Sequence, residues 1–219
     1  MEFIKFFIDW FLHLDAHLGE LISTYGTFVY VILFLVIFAE TGLVIMPLLP
    51  GDSLLFVAGM LVTVGGLNLW LLIGLLIVAA ILGDTVNYHI GKFIGPKVFV
   101  EGAPTNIFTK LLKIEHLEKA QAFYEKHGGK TIIMARFLPI VRTFAPFVAG
   151  ISNMNYSRFI AYNVVGGIVW VTGLTLAGYF LGEFDIIRNN FEKVIFGIIL
   201  LSILPIIIEY FRNKKAKAA

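Results

Sequence analysis

The chain has 219 residues, of which 58% are hydrophobic and only 15% are charged, and its mean hydropathy is +0.88. A soluble domain carries about 25% charged residues, so this composition excludes a water-soluble globule and predicts an all-α polytopic membrane protein. The absence of cysteine excludes disulfides and thiolate catalysis, and the net charge of +2 gives no reason to expect nucleic acid as a partner.

The first part of the chain predicts a surface helix followed by a span. Residues 1–20 mix Phe, Ile, Leu and Trp with five charged residues, which is typical of an amphipathic helix lying in the membrane interface. Residues 21–39 are uncharged. A crossing takes about 20 residues, so this segment is long enough to span the membrane.

The next part combines a broken segment with a second span. Residues 40–66 are apolar but contain Pro47 and Pro50. Each proline removes a backbone donor and crowds the preceding turn, so we expect a re-entrant hairpin rather than a straight helix. Residues 67–91 then form another apolar run that predicts a spanning helix.

A polar segment separates this half of the chain from the next. Residues 92–130 hold seven Lys and four Glu. Within them, residues 105–127 place apolar side chains at helical spacing opposite a charged face, which predicts an amphipathic helix on the solvent side or along the membrane surface.

The second half repeats the order of the first. Residues 131–157 are apolar and broken by two prolines, and they predict a second re-entrant hairpin. Residues 159–182 and 194–211 are predicted to span the membrane, and residues 212–219 form a basic tail.

Two short motifs indicate an internal repeat. The tetrapeptide FVAG occurs at 56–59 and again at 147–150, and each copy precedes a Gly-x-Phe-x-Gly motif, which is GKFIG at 91–95 and GYFLG at 178–182. Paired Pro- and Gly-interrupted apolar segments in corresponding halves are typical of a transporter with a substrate site at the repeat interface.

The distribution of basic residues predicts the orientation. Residues 92–130 and 212–219 are rich in Lys and Arg, whereas 183–193 carry three acids and two bases. The positive-inside rule places the first two segments, and both termini, in the cytoplasm. The two hairpins must then enter from opposite faces, which makes the predicted fold an inverted repeat.

Five charged residues lie inside apolar sequence and are the candidate functional residues. They are Glu40, Asp52, Asp84, Arg136 and Arg142. A charge at the bilayer centre costs about 2.5–3.5 kcal/mol even on a lenient scale, so each needs a partner or water. Arginine suits phosphate because its planar fork donates two hydrogen bonds at once. We therefore expect Arg136 and Arg142 to bind an anionic group. Glu40 and Asp52 would serve as ion-pair partners or proton carriers, with Asp84 as a secondary candidate.

Other interpretations of these charges remain open. Asp52 would cap a helix that starts at Ser53, and the two arginines would snorkel towards headgroups. A small-ion or proton antiporter would use the same carboxylates, with the arginines as structural counter-charges. A purely structural scaffold would need none of the buried charges.

An enzyme is not expected. Residues 51–54 spell the Gly-Asp-Ser-Leu block of a class of lipid esterases, but those enzymes also need Asp-x-x-His to activate the serine. That motif is absent from the chain, and no histidine follows His127. His13 and His17 are four residues apart but lack the HExxH pattern of a zinc site, so no metal or cofactor is expected.

Four stretches of the chain closely resemble the bacterial DedA family, which also includes the eukaryotic VTT-domain lipid scramblases. They read FAETGLVIMPLLPGDSLLFVAG, GDTVNYHIGKFIG, FYEKHGGKTIIMARFLPIVRTFAPFVAG and MNYSRFIAYNVVGGIVWV. The resemblance runs from about residue 20 to 210.

The resemblance implies an inner-membrane protein with two facing re-entrant hairpins that moves lipids between leaflets. Undecaprenyl phosphate and glycerophospholipids are the lipids it suggests, with dependence on the proton motive force in some members. It implies that the acidic pair is Glu40 and Asp52 and that the arginine pair is Arg136 and Arg142. Membrane lipids are the expected partners, and a homodimer is compatible with the sequence.

Overall fold

The computed structural model describes residues 26–43, 51–64, 67–98, 129–136 and 139–184, together with residue 197. Its helices are α1 (Phe28–Gly42), α2 (Gly51–Val64), α3 (Leu69–Val98), α4 (Lys130–Ala135), α5 (Pro139–Ile151) and α6 (Tyr156–Gly182). No strand occurs among the described residues, so the all-α prediction is confirmed for this part of the chain.

Two of these helices are long and apolar enough to cross a membrane. They are Leu69–Ile94, with 26 residues, and Tyr156–Gly182, with 27 residues. At 1.5 Å per residue each extends roughly 40 Å, more than the ~30 Å hydrocarbon core of a bilayer. They coincide closely with the predicted spans at 67–91 and 159–182.

Both long helices present large apolar side chains outward. Leu82 and Val86 are exposed on α3, and Val165, Ile168 and Val169 are exposed on α6. A contiguous apolar surface of this kind is unfavourable in water and favourable against lipid. The outward face of both helices therefore suits a bilayer.

The start of α3 is defined by a side-chain cap. The carboxamide oxygen of Asn68 accepts a hydrogen bond of 3.0 Å from the backbone N–H of Leu71, as an N-cap residue does. The backbone N–H of Asn68 in turn donates to the hydroxyl of Tyr30 on α1 at 2.5 Å. The cap thus also ties the beginning of α3 to α1.

The turn between α5 and α6 is short and is closed by backbone hydrogen bonds. Asn153 has a positive φ of 50° and donates its N–H to Gly150, while Met154 donates to Ala149. This is the Schellman arrangement, in which Asn replaces the usual Gly. The Asn155 side chain then caps α6, because its Oδ1 accepts hydrogen bonds from the backbone N–H groups of Ser157 and Arg158 at 2.9 and 3.3 Å. The chain therefore reverses sharply between the two helices.

The turn packs on the end of α3. The Tyr88 hydroxyl on α3 donates to the Met154 carbonyl, and the Tyr88 ring stacks on Phe159 with centroids 4.5 Å apart. Ile132 and Ala149 complete this buried cluster. Side chains from α3, α4, α5 and α6 thereby form one core.

The described residues fall into two compact units. One unit, here the α5 unit, contains residues 34–43, 75–98, 129–136 and 139–171. The other, here the α2 unit, contains 26–33, 51–64, 67–74 and 172–184.

In the α2 unit, the first FVAG motif packs against α6 with backbone contact. A Cβ on Gly59 would lie 2.0 Å from the carbonyl oxygen of Thr175, and a Cβ on Gly178 would lie 1.9 Å from that of Phe56. Only glycine permits such an approach. The crossing is reciprocal, since each helix offers a glycine to the carbonyl of the other.

The α5 unit contains the same crossing with the second FVAG motif. A Cβ on Gly150 would lie 2.0 Å from the carbonyl oxygen of Tyr88, and one on Gly91 would lie 2.1 Å from that of Phe147. The contacting residues occupy the same motif positions as in the α2 unit. Each FVAG helix thus packs on the Gly-x-Phe-x-Gly helix of the other half of the sequence.

Several predicted elements lie wholly or partly outside the described residues. The interfacial helix at 1–20, the amphipathic helix at 105–127, the span at 194–211 and the tail at 212–219 are outside. Within the predicted hairpins, the described helical parts are the end of α1 and all of α2 in the first, and α4, α5 and the first residues of α6 in the second.

Candidate functional site

Glu40 and Arg142 form a buried ion pair within the α5 unit. Glu40 lies in the last turn of α1, and Arg142 lies in the first turns of α5, 102 positions further along the chain. The Nη2 group of Arg142 donates to Oε1 of Glu40, and the two side chains are 8% and 1% exposed. Such a pair is shielded from water, so neither charge is balanced by solvent.

Arg136 makes a second buried ion pair. It is the C-cap residue of α4 and lies three positions before Pro139, where the next helix begins. Its Nη2 group is 2.6 Å from Oδ2 of Asp84 on α3, and it also donates to Oδ1 of Asn163 on α6. Arg136 therefore joins three separate parts of the α5 unit.

Asn163 connects the second pair to the backbone of α3. It is fully buried, and its Nδ2 group donates to the carbonyl of Ile81 at 3.1 Å. Its carbonyl oxygen is thereby turned towards Arg136. The NH2 group of the amide therefore anchors the side chain to α3, and its carbonyl oxygen accepts a hydrogen bond from the guanidinium of Arg136.

Trp170 is shared by the two arginines. The Cζ atom of Arg142 lies 5.0 Å from the ring centroid of Trp170, and that of Arg136 lies 5.8 Å from it. The negative face of an indole attracts a cation, and the attraction strengthens when water is excluded. Trp170 is 2% exposed, so this contact partly offsets the cost of burying two guanidinium groups.

Asn87 lies one turn beyond Asp84 on α3 and is fully buried. Its Nδ2 group donates to two carbonyls, that of Thr41 at 3.1 Å and that of Thr143 at 2.8 Å. These are the residues that follow Glu40 and Arg142 in the sequence. One amide therefore fixes the backbone on both sides of the first ion pair.

Close helix packing brings the acidic residues to one place. A Cβ on Gly83 would lie 1.9 Å from the Thr41 hydroxyl and 2.8 Å from the Phe38 carbonyl. Gly42 packs against Gly83 in the same crossing. Because these glycines adjoin Glu40 and Asp84 in sequence, the crossing of α1 and α3 brings both carboxylates to the arginines.

A glycine pair on α6 makes room for Arg136. A Cβ on Gly166 would lie 3.0 Å from Cδ and 3.1 Å from Nε of Arg136, and one on Gly167 would lie 3.7 Å from its Nη2. The Nε atom of Arg136 is buried and has no hydrogen-bond partner among the described residues. One donor of this guanidinium therefore remains available.

Glu40, Asp84, Arg136 and Arg142 together form a charged cluster of two acids and two bases. Its formal charge is zero, so an incoming anion must displace a carboxylate or be accompanied by a proton. Arginine binds phosphate through paired hydrogen bonds and stays charged when buried.

The structure brings together four of the five charged residues singled out by sequence. Asp84, the secondary candidate, is a direct partner of Arg136. Asp52 belongs to the α2 unit, where it lies in the first turn of α2. Ser53, the esterase-like serine, is buried in the same turn.

Sequence analysis missed the neutral residues of the site. Asn87, Asn163 and Trp170 were not singled out, although each contacts the charged cluster or its backbone. A signal did exist, because Asn87 lies three positions after Asp84 and the two therefore share one face of a helix. A polar stripe inside an apolar run predicts an inward-facing surface.

Within the described ranges, no group of three or more His, Asp or Glu side chains could hold a metal ion. The chemistry of this part of the chain is that of carboxylates, guanidinium groups and amides.

The comparisons with known proteins agree with a membrane protein of this design. The VTT domain family matches residues 49–180, more than half of the chain. Over 220 residues the chain is 53% identical to the protein DedA of Escherichia coli K12, covering 100% of this chain and 98% of that protein. The chain therefore belongs to the DedA family of VTT-domain membrane proteins, as its motifs indicated.

More distant relatives are described as membrane proteins. An uncharacterized membrane protein of Mycobacterium leprae is 44% identical over 183 residues, covering 84% of this chain and 80% of that protein. The inner membrane protein YqjA of Escherichia coli K12 is 33% identical over 178 residues, covering 81% of this chain and 79% of that protein. No solved structure matches the chain.

Proposed function

We propose that this protein moves a phosphate-bearing lipid between the leaflets of a bacterial inner membrane. Undecaprenyl phosphate and glycerophospholipids are the candidate lipids. One observation carries the proposal. Two buried guanidinium groups, those of Arg136 and Arg142, face the same indole ring, and each is paired with a carboxylate from another helix.

Energetics support a functional reading of this cluster. Four isolated charges at membrane depth would together cost roughly 10 kcal/mol, and buried ion pairs recover that cost only incompletely. A well-packed apolar replacement is often neutral or stabilising. Retaining four charged side chains where apolar residues would hold the fold as well points to a ligand that needs them.

The proposed cycle uses exchange of partners and no covalent chemistry. A lipid phosphate enters the cluster and competes with Glu40 for Arg142. Protonation of Glu40 removes the competing charge, so proton entry favours phosphate binding. The acyl or prenyl tails stay in the bilayer while the headgroup crosses. Asp52 is a second candidate proton carrier on this proposal.

The proposal includes a specific architecture. Residues 40–66 and 131–157 form re-entrant hairpins from opposite faces, in an inverted repeat with both termini in the cytoplasm. The reciprocal glycine crossings of the two FVAG motifs support this arrangement, because matching residues make matching contacts in both units. The description of YqjA as an inner membrane protein supports the location.

A small-ion or proton antiporter is the alternative. It is favoured by the fact that both arginines already have carboxylate partners, which would suit a purely structural counter-charge. In that case Glu40 would exchange protons and ions through narrow water paths. The two functions differ in whether a lipid phosphate competes for the arginines.

The test is leaflet exchange in proteoliposomes made with the purified full chain. Labelled undecaprenyl phosphate and labelled phosphatidylethanolamine are assayed separately, with and without a pH gradient. We expect protein-dependent exchange of at least one phosphate lipid and none of a labelled diacylglycerol, which lacks phosphate.

A matched variant gives the control for this assay. Arg142→Gln removes the guanidinium charge and should abolish exchange, whereas Arg158→Gln changes an exposed arginine at the start of α6 and should not. Equal exchange by both variants would reject the site. Ion-driven proton flux without lipid exchange would favour the antiporter.

A further inference from the structure

We propose that Asn87 is a positioning residue that holds the Glu40–Arg142 pair in its closed, mutually paired state. This inference rests on the proposed function and deepens it, because it names the group that sets how readily Arg142 is released to a phosphate. Asn87 itself is not expected to touch the lipid. The two hydrogen bonds of its Nδ2 group are called the Asn87 bridge below.

The geometry of the bridge is specific. The two acceptors are the carbonyl oxygens of Thr41, on α1, and Thr143, on α5, at 3.1 and 2.8 Å. Each acceptor belongs to the residue directly after a member of the ion pair. The bridge therefore fixes the distance between the two backbones from which Glu40 and Arg142 extend.

The two acceptors lie at or beside positions where a backbone hydrogen bond within a helix is missing. Thr41 is in the last turn of α1, where carbonyls have no partner within the helix. Thr143 follows Arg142, whose own carbonyl cannot receive the usual bond four residues on, because that position is Pro146. The bridge thus joins the end of one helix to a turn of another in which Pro146 removes one backbone hydrogen bond.

The bridge opposes phosphate binding in a predictable way. If Arg142 binds a phosphate only after leaving Glu40, the apparent affinity is reduced by the fraction of molecules in the open state. Bonds that exist only in the closed state lower that fraction. Removing them should therefore tighten phosphate binding, even though it weakens the folded structure.

Opposite changes in thermal stability and in phosphate affinity distinguish a positioning role from a merely structural one. A residue that only supports the fold would, when replaced, lower both thermal stability and ligand affinity. The proposal instead requires lower stability together with higher affinity. Two hydrogen bonds of ordinary strength correspond to an affinity gain between about fivefold and about 150-fold.

The experiment measures binding of dodecyl phosphate to the purified full chain in detergent micelles by isothermal titration. Asn87→Leu keeps the branched shape of the side chain and removes both donors, and Asn87→Ser retains one donor. We expect affinity to rise from wild type through Asn87→Ser to Asn87→Leu, while the melting temperature falls in the same order. If Asn87→Leu does not fold, Asn87→Ser decides by the same criteria.

Two further variants serve as controls. Thr85→Val removes a hydroxyl on α3 that donates to the carbonyl of Ile81 in its own helix and takes no part in the Asn87 bridge, so the affinity of this variant should equal that of wild type. In a Glu40→Gln background Arg142 has lost its carboxylate partner, so the Asn87 bridge has no ion pair to keep closed. Adding Asn87→Leu there should change affinity less than twofold, since coupled residues are not additive.

The outcomes distinguish this inference from the proposed function. If wild type binds dodecyl phosphate and Arg142→Gln does not, the phosphate site stands. Equal or weaker binding by the Asn87 variants would then overturn the positioning role alone. If Arg142→Gln binds as well as wild type, both proposals fail. An arm with inorganic phosphate shows whether the site takes the free anion or requires the alkyl chain.

Discussion

Asp84 and Arg136 are 52 positions apart in the chain, yet Oδ2 of Asp84 lies 2.6 Å from Nη2 of Arg136, with both side chains buried. The pair joins the middle of α3 to the break between α4 and α5. Because water is excluded, neither charge can be lost alone without leaving the other uncompensated.

Neutralising Asp84 should destabilise the protein strongly. Asp84→Asn leaves the buried guanidinium of Arg136 without a carboxylate, and such changes cost about 3–5 kcal/mol. Unfolding in micelles, followed by tryptophan fluorescence, measures the loss. The control Glu183→Gln changes an exposed carboxylate and should stay within about 0.5 kcal/mol of wild type.

The double variant Asp84→Asn with Arg136→Gln sharpens this test. It removes both charges and should be more stable than Asp84→Asn alone. If the double variant is instead less stable by the sum of the two single losses, the two residues do not act as a pair.

Replacing the arginines with lysine should impair lipid exchange. Lysine retains the charge but offers a single point rather than a planar fork, and it cannot keep the paired hydrogen bonds. We expect Arg136→Lys and Arg142→Lys each to lower the exchange rate by about tenfold or more, the effect of losing about 1.4 kcal/mol. The exposed Arg158→Lys is the matched control. Wild-type rates in both buried variants would mean that the charge alone suffices.

Glu40 should carry the response to a pH gradient. Glu40→Gln keeps the side-chain size and removes its titration, so lipid exchange by the folded protein should become insensitive to the gradient. Because the substitution also leaves the buried Arg142 without its carboxylate, the melting temperature should fall as well. Asp52→Asn provides the comparison, because Asp52 lies in the α2 unit at a helix start, where a carboxylate contributes about 0.3–1 kcal/mol to stability. A normal gradient response in both variants would exclude these carboxylates as proton carriers.

The glycine beside Arg136 should matter for the position of its guanidinium. In Gly166→Ala the new Cβ would lie 3.0 Å from Cδ of Arg136, so the side chain must shift by a few tenths of an ångström. We expect slower lipid exchange. Gly173→Ala on the same helix meets no atom within 4 Å and should raise the free energy of unfolding by about 0.5–1 kcal/mol. Equal effects of the two substitutions would show that the tight contact at Gly166 has no consequence.

The membrane orientation can be tested with single cysteines, since the chain contains none. Asn190→Cys lies in the acidic segment 183–193 and should react with an impermeant thiol reagent added from the periplasmic side. A cysteine at Lys215 in the basic tail should react only after the membrane is opened. The reverse pattern would contradict the proposed topology.

The apolar spans and the intramembrane charges could be predicted from the sequence because both depend on local composition. A long, predominantly apolar run identifies α3 and α6 without knowledge of their neighbours. Glu40 and Arg142 are recognisable in the same way, because a charge in apolar sequence must be compensated.

The partners of those charges could not be predicted. Which acid meets which arginine depends on where the helices cross, and the crossings are set by glycines such as Gly83 whose role appears only in three dimensions. Asp84 was ranked below Asp52 for this reason. Asn87 and Asn163 could not be recognised as site residues from the sequence, because a neutral amide in an apolar run does not require a charged partner. Once buried, however, an amide must find hydrogen-bond partners.

Each FVAG helix packs on the Gly-x-Phe-x-Gly helix of the other half of the sequence, and this packing has a consequence for the origin of the protein. In the present fold, the FVAG motif and the Gly-x-Phe-x-Gly motif of the same half do not form the glycine crossing with each other. A half-length ancestor with one copy of each motif could therefore not have formed this crossing within a single chain. It would have needed a second copy to supply the opposite helix, as interlocked subunits do. Gene fusion would then have converted an obligate pair of short polypeptides into one chain, and each half should still fold only when the other is co-expressed.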